Sequence, residues 1–120
     1  MNNTMKLGLA VCGALLLGSA ANTQAADKKI ERVWKAKCGS CHGADGKGQT
    51  EQGKKKGAED MTSAEWQKGK KDEDMKKAIM DGFKKEKNGV KQEMEAYKDK
   101  LKPEEIDELV KMVRAFGGGA

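Results

Sequence analysis

The chain has 120 residues, of which 36% are charged and only 4% aromatic. That composition leaves too little apolar bulk for a self-sufficient core and limits the chain to one small domain. The net charge of +5 comes from 24 basic and 19 acidic side chains that are interspersed. With so few aromatics, this argues against a nucleic-acid-binding surface and is consistent with a lysine-rich solvated one.

Residues 1–25 read as a secretory signal peptide. Lys6 supplies the positive start, Leu7 to Leu17 an apolar stretch, and Ala20–Ala26 a small-residue cleavage zone with cuts after Ala25 or Ala26. The apolar run is too short for the roughly 20 residues of a spanning helix. Cys12 lies in this segment and is expected to leave with it. Lys6 is the only charged residue removed, so the exported domain, 26–120, keeps a mild positive charge. It has no membrane span and suits an encounter with an acidic protein face.

A first helix is expected from about Lys28, with Ile30, Val33, Trp34, Cys38 and Cys41 on helical spacing. It ends in Cys38-Gly39-Ser40-Cys41-His42. C-x-x-C-H is the attachment sequence of c-type haem. Thiols three apart share one side of a helical turn and can reach two neighbouring vinyl groups, while the adjacent imidazole meets the iron. A thioredoxin-like dithiol would want a βαβ context. Zinc would need four ligands, and the chain has three cysteines and one histidine. A buried haem also supplies the missing apolar bulk, so folding is expected to be coupled to its insertion.

Gly43 to about Asp60 reads as a glycine-marked loop. Thr62-Ser63-Ala64-Glu65 fits a capping box opening a short helix with Trp66, which is expected to pack in the haem pocket. A third helix is expected over Asp72–Asp81, with Met75, Ala78, Ile79 and Phe83 inward and Gly82 as its cap. Lys84–Lys100 is polar and irregular, with Asn88-Gly89 as a turn. No alternation demands a strand. The last helix starts near Pro103, buries Ile106, Leu109, Val110, Met112, Val113 and Phe116, and ends at Gly117. The expected fold is all-α, about four helices around one covalently bound haem.

The segment Trp34–Gly48 resembles the haem helix and loop of small bacterial class I cytochromes c. Met94–Ile106 resembles that family's methionine loop and C-terminal helix, and Asp60–Gly82 its middle. The resemblance implies one haem c, held by Cys38 and Cys41, with His42 and Met94 as axial iron ligands. Five methionines follow the signal: Met61, Met75, Met80, Met94 and Met112. Met94 alone lies in a polar non-helical stretch, and Met61 is the next candidate. Met112 stands where the family has an aromatic packed on the first helix, which would make Trp34 its partner. Many relatives orient the proximal imidazole with a proline carbonyl. Gly43–Met61 contains no proline, so another backbone carbonyl is expected to serve. Tyr97 is expected either near a propionate or as a packed aromatic.

The implied function is a monomeric periplasmic electron carrier, not an enzyme. Its partners would be redox proteins such as a membrane oxidoreductase, terminal oxidase or reductase, met through lysines among Lys47, Lys54–Lys56, Lys84, Lys85 and Lys98. A haem enzyme or gas sensor with an open sixth site, or a fixed subunit of a larger complex, are the alternatives.

Overall fold

The computed structural model describes residues 21–118. Most of the signal peptide expected over 1–25, with Cys12, lies outside the described residues.

Helix α1 (Ala21–Val33) continues through a π-helical stretch, Trp34–Cys38, into the short α2 (Gly39–His42). In an α-helix residues four apart drift forward by roughly 40°. The wider π turn, closed by the Gly39 N–H on the Trp34 carbonyl, offsets that drift. Ile30, Trp34 and Cys38 therefore all bury on one face. Such bulges are frequent at functional sites.

Helix α3 (Glu51–Lys56) stands inside the segment expected to be loop. Thr50 caps it by accepting from the Gly53 N–H, and Gly57 closes it in the left-handed region. It carries no apolar side chain, so it has no periodicity to read. Helix α4 (Ala64–Gly69) is capped by Ser63, one residue later than the box beginning at Thr62 would place it. Helix α5 (Asp72–Asp81) has the expected bounds and buries Met75 and Ile79.

The expectation of no strand is corrected at β1 (Phe83–Lys87) and β2 (Val90–Met94), an antiparallel hairpin pairing Phe83 with Met94 and Lys87 with Val90. Asn88 and Gly89 both take positive φ, as a tight primed turn requires. The strands are almost wholly exposed, so burial imposed no alternation on their sequence. Helix α6 (Pro103–Phe116) follows, with Pro103 in its first turn and the Glu105 carboxylate accepting from the Lys102 N–H. With α1 through α2 taken as one run, the described chain has five helices and one hairpin rather than four helices alone.

The core joins α1, α5 and α6 through Ile30, Trp34, Met75, Ile79, Leu109 and Val113, among others. Met112 is only partly buried. Trp34 packs instead on Phe116, with ring centroids 5.1 Å apart. Gly46 makes room for that ring, since a Cβ there would collide with it. Arg114 ties α6 to the α4–α5 junction by donating to Asp72, to the Gln67 carbonyl and side-chain oxygens, and to the Lys70 carbonyl.

Candidate functional site

The pentad is held from both sides. Thr50 shares its hydroxyl proton between the carbonyls of Ser40 and Cys41, at 2.7 and 3.0 Å. Gly53 lies so close to the Cys41 carbonyl that no side chain would fit. Behind the motif, Trp34 Nε1 donates to the Gly43 carbonyl at 2.9 Å. From the far end of the domain, Tyr97 donates its hydroxyl to the Lys37 carbonyl at 2.9 Å. Tyr97 thus binds the methionine loop to the residue preceding Cys38.

Cys38 and Cys41 are free thiols. Burial pushes the Cys38 thiol up to about 11; Lys37 opposes this and Cys41 adds to it. Burial also lowers the pKa of His42, which favours the neutral imidazole that a metal ligand must be. Its Nδ1 is buried with no hydrogen-bond partner among the described residues. The backbone carbonyl expected to orient it is therefore not in place among the described residues, and the Gly43 carbonyl accepts from Trp34 Nε1 and from the Gly46 N–H instead.

Trp34, Cys38 and His42 line a cavity of about 450 Å³, within the usual range for small-molecule and cofactor sites. Its walls are largely apolar: Met61, Trp66, Met75, Ile79, Phe83 and Leu109 contribute. Met94, at the end of β2, lines the same cavity. So do Met61 and Met75, whereas Met80 is 41% exposed on the outer side of α5. The cavity thus joins the Cys38 thiol, one imidazole and three thioethers to a largely apolar lining, with Cys41 next to His42 in the same short helix. That donor set fits a covalently tethered, axially ligated haem.

Met94 pairs with Phe83 in the hairpin and packs against the core, and close backbone contacts hold the chain that follows it. Gly82, at φ +62°, lies against the Met94 carbonyl oxygen and the Ala96 nitrogen. The N–H groups of Tyr97 and Lys98 then donate to the carbonyls of Ile79 and Met80 at the end of α5.

Two polar wall residues escaped the sequence reading. Glu59 accepts from Trp66 Nε1 at 3.0 Å and from Lys87 Nζ at 2.7 Å, with Lys70 3.9 Å away. Burial alone would raise its pKa, but the hydrogen bonds from Lys87 and Trp66 and the lysine charges hold it down to about 2. Trp66 therefore packs on the cavity as expected and also anchors a carboxylate. Gln92, two residues before Met94, is the other. The only local signal for it is its place on the same strand face as Met94.

Among the described residues, no helix is long and apolar enough to cross a membrane. The family model described as cytochrome c matches residues 28–115. Five chains of solved structures match; one is the KustC0563 c-type cytochrome, 35% identical, covering 72% of this chain and 94% of that one, at a TM-score of 0.59. No curated protein matches.

Proposed function

Because the chain belongs to the cytochrome c family, we propose that it is an exported, periplasmic, monomeric carrier of single electrons with His42 and Met94 as axial iron ligands. The family carries covalently attached haem c, and Cys38 and Cys41 fit its attachment motif. When bound, haem supplies an iron that passes between ferric and ferrous states. The observation that carries the proposal is that His42 and Met94, 52 positions apart in sequence, line one apolar cavity.

The chain's own residues would each have a part. Cys38 and Cys41 tether the cofactor so that it is not lost outside the cell membrane. His42 binds neutral, and burial holds it so. A thioether from Met94 raises the reduction potential relative to harder ligands. Bound by both His42 and Met94, the iron would have no open position for a substrate, which is why we read a carrier rather than an enzyme. The apolar walls keep water from the iron, and Lys56 and Lys85 at the cavity offer positive charge to an acidic redox partner.

The test is the ferric optical spectrum of the haem-loaded protein. A weak far-red band from an iron–thioether bond is expected in the parent, lost in Met94→Ala and kept in Met61→Ala. Loss with Met61→Ala instead would move the ligand to Met61. A high-spin spectrum, with rapid stoichiometric carbon monoxide binding by the reduced protein, would overturn the carrier reading in favour of a ligand-binding haem protein. Charge reversal at Lys84 and Lys85 together should slow electron transfer to an acidic partner and weaken its dependence on ionic strength. Unchanged rates would remove this pair from the docking surface.

A further inference from the structure

Among the described residues Gln92 is the one buried polar side chain, only 7% exposed. It sits at the middle of β2, two residues and about 6.6 Å of strand from Met94 and on the same face. Its Nε2 donates to the Gly57 carbonyl at 3.2 Å. Its Oε1 is buried and has no hydrogen-bond partner.

The orientation of this amide is settled by chemistry. A carbonyl can only accept, so the Gly57 oxygen must face the nitrogen end, and turning the amide over would set two acceptors together. Oε1 is therefore the free end. Leaving such an acceptor unpaired costs roughly 1–3 kcal/mol, a cost that a leucine or methionine of similar size would not incur. An orphaned buried polar group of this kind calls for an account, and a redox role is one of the few that fit.

Gln92 lines the main cavity, and also the open cleft of about 530 Å³ on its other side, next to Lys47, Lys54 and Asn88. It is thus part of the partition between the cofactor cavity and solvent. The charged neighbours on its strand, Lys91 and Glu93, are exposed, and water weakens their fields. The Gln92 oxygen is sealed, so its field is weakened far less.

We infer that Gln92 is a potential-setting residue: its bare amide oxygen, buried in the cavity wall beside Met94, favours the ferric over the ferrous cofactor and so lowers the reduction potential. Ferric haem carries one more positive charge than ferrous haem. It has no N–H or O–H on the iron to donate, so what it offers an unpaired acceptor is charge. The inference rests on the haem reading of the cavity.

The experiment uses the haem-loaded parent, Gln92→Leu and Gln92→Glu, each equilibrated with a one-electron redox dye of known potential. Haem content is counted from the pyridine haemochrome spectrum. Gln92→Leu should shift the exchange roughly three- to tenfold toward reduced protein; tenfold is about 59 mV for one electron. Gln92→Glu should shift it the opposite way, increasingly so as pH rises and the new carboxyl ionises. Gln92→Glu loses the bond to Gly57 and should melt at lower temperature, whereas Gln92→Leu loses that bond but also removes the unpaired acceptor, two effects that offset. A merely structural role predicts potentials that stay put or move in one direction. An unmoved potential in Gln92→Leu, or shifts of the same sign in both variants, would overturn the inference. So would loss of the far-red band in Gln92→Leu, because Gln92 would then be holding Met94 in place. A parent that carries no haem would overturn both this inference and the haem reading, and the haemochrome count shows that separately.

Discussion

Gly82 has no side chain because the Met94 loop leaves no room for one. Its φ of +62° and the nearby Met94 oxygen reinforce each other. Gly82→Ala should lose roughly 1–3 kcal/mol from a positive-φ, extended backbone that favours glycine, and more from the displaced loop, with a weakened far-red band. Gly89→Ala is the control. That position has a φ of +78° but open space around it, so the variant should lose stability and keep the band. Denaturant unfolding and the ferric spectrum check both. Removing the Tyr97 hydroxyl is a milder change on the same loop. Tyr97→Phe gives up one hydrogen bond to Lys37 and should cost about 1 kcal/mol, read by the same unfolding assay.

Among the elements, α6 packs on α5 through the apolar core, and one side chain makes most of its polar attachment to the α4–α5 junction. Arg114 reaches three residues there, and Gln67 returns a bond to the Val113 carbonyl. Arg114→Ala should destabilise the domain by roughly 2–4 kcal/mol, since it removes charge-assisted bonds and leaves the partly buried Gln67 and Lys70 carbonyls unpaired. An unfolding midpoint close to the parent's would show that the network is ornamental. The elements also mark what could be read from sequence. Helices α5 and α6 were legible because each buries a stripe of apolar residues. The hairpin was not, because between Phe83 and Met94 its strands are mostly lysine and glutamate with Gln92 alone buried; only the Asn88-Gly89 turn was visible. Helix α3 was hidden by Gly53, a poor helix former whose place is set by the Cys41 carbonyl it lies against. At the site, the pentad was plain because its chemistry is local. Glu59 and Gln92 became functional candidates only through contacts 28 and 35 residues away in sequence, with Lys87 and Gly57.

For the whole molecule, Glu59 links the segment after α3, helix α4 and the hairpin around the cavity through Trp66, Lys70 and Lys87. Its pKa falls from 4.5 to about 2 on folding, so the folded protein binds the proton less tightly than the unfolded chain. The stabilisation is fully present above about pH 4.5 and is lost as pH falls toward 2. Glu59→Gln should therefore be less stable than the parent at pH 7, with the gap closing between pH 4.5 and 2. Urea midpoints across that range test it; a gap independent of pH would assign Glu59's contribution to packing instead.

The hairpin also gives this small domain a handle. Val90, at its tip, is 51% exposed, and Met94 lies four residue steps further on, about 13 Å along the strand. A single thiol placed at Val90, once Cys38 and Cys41 are consumed by haem, would bond to a gold electrode and fix one orientation of the protein on the metal. Current would then enter by way of the strand that ends at the cofactor cavity, making this hairpin a natural attachment point for wiring the domain into a device.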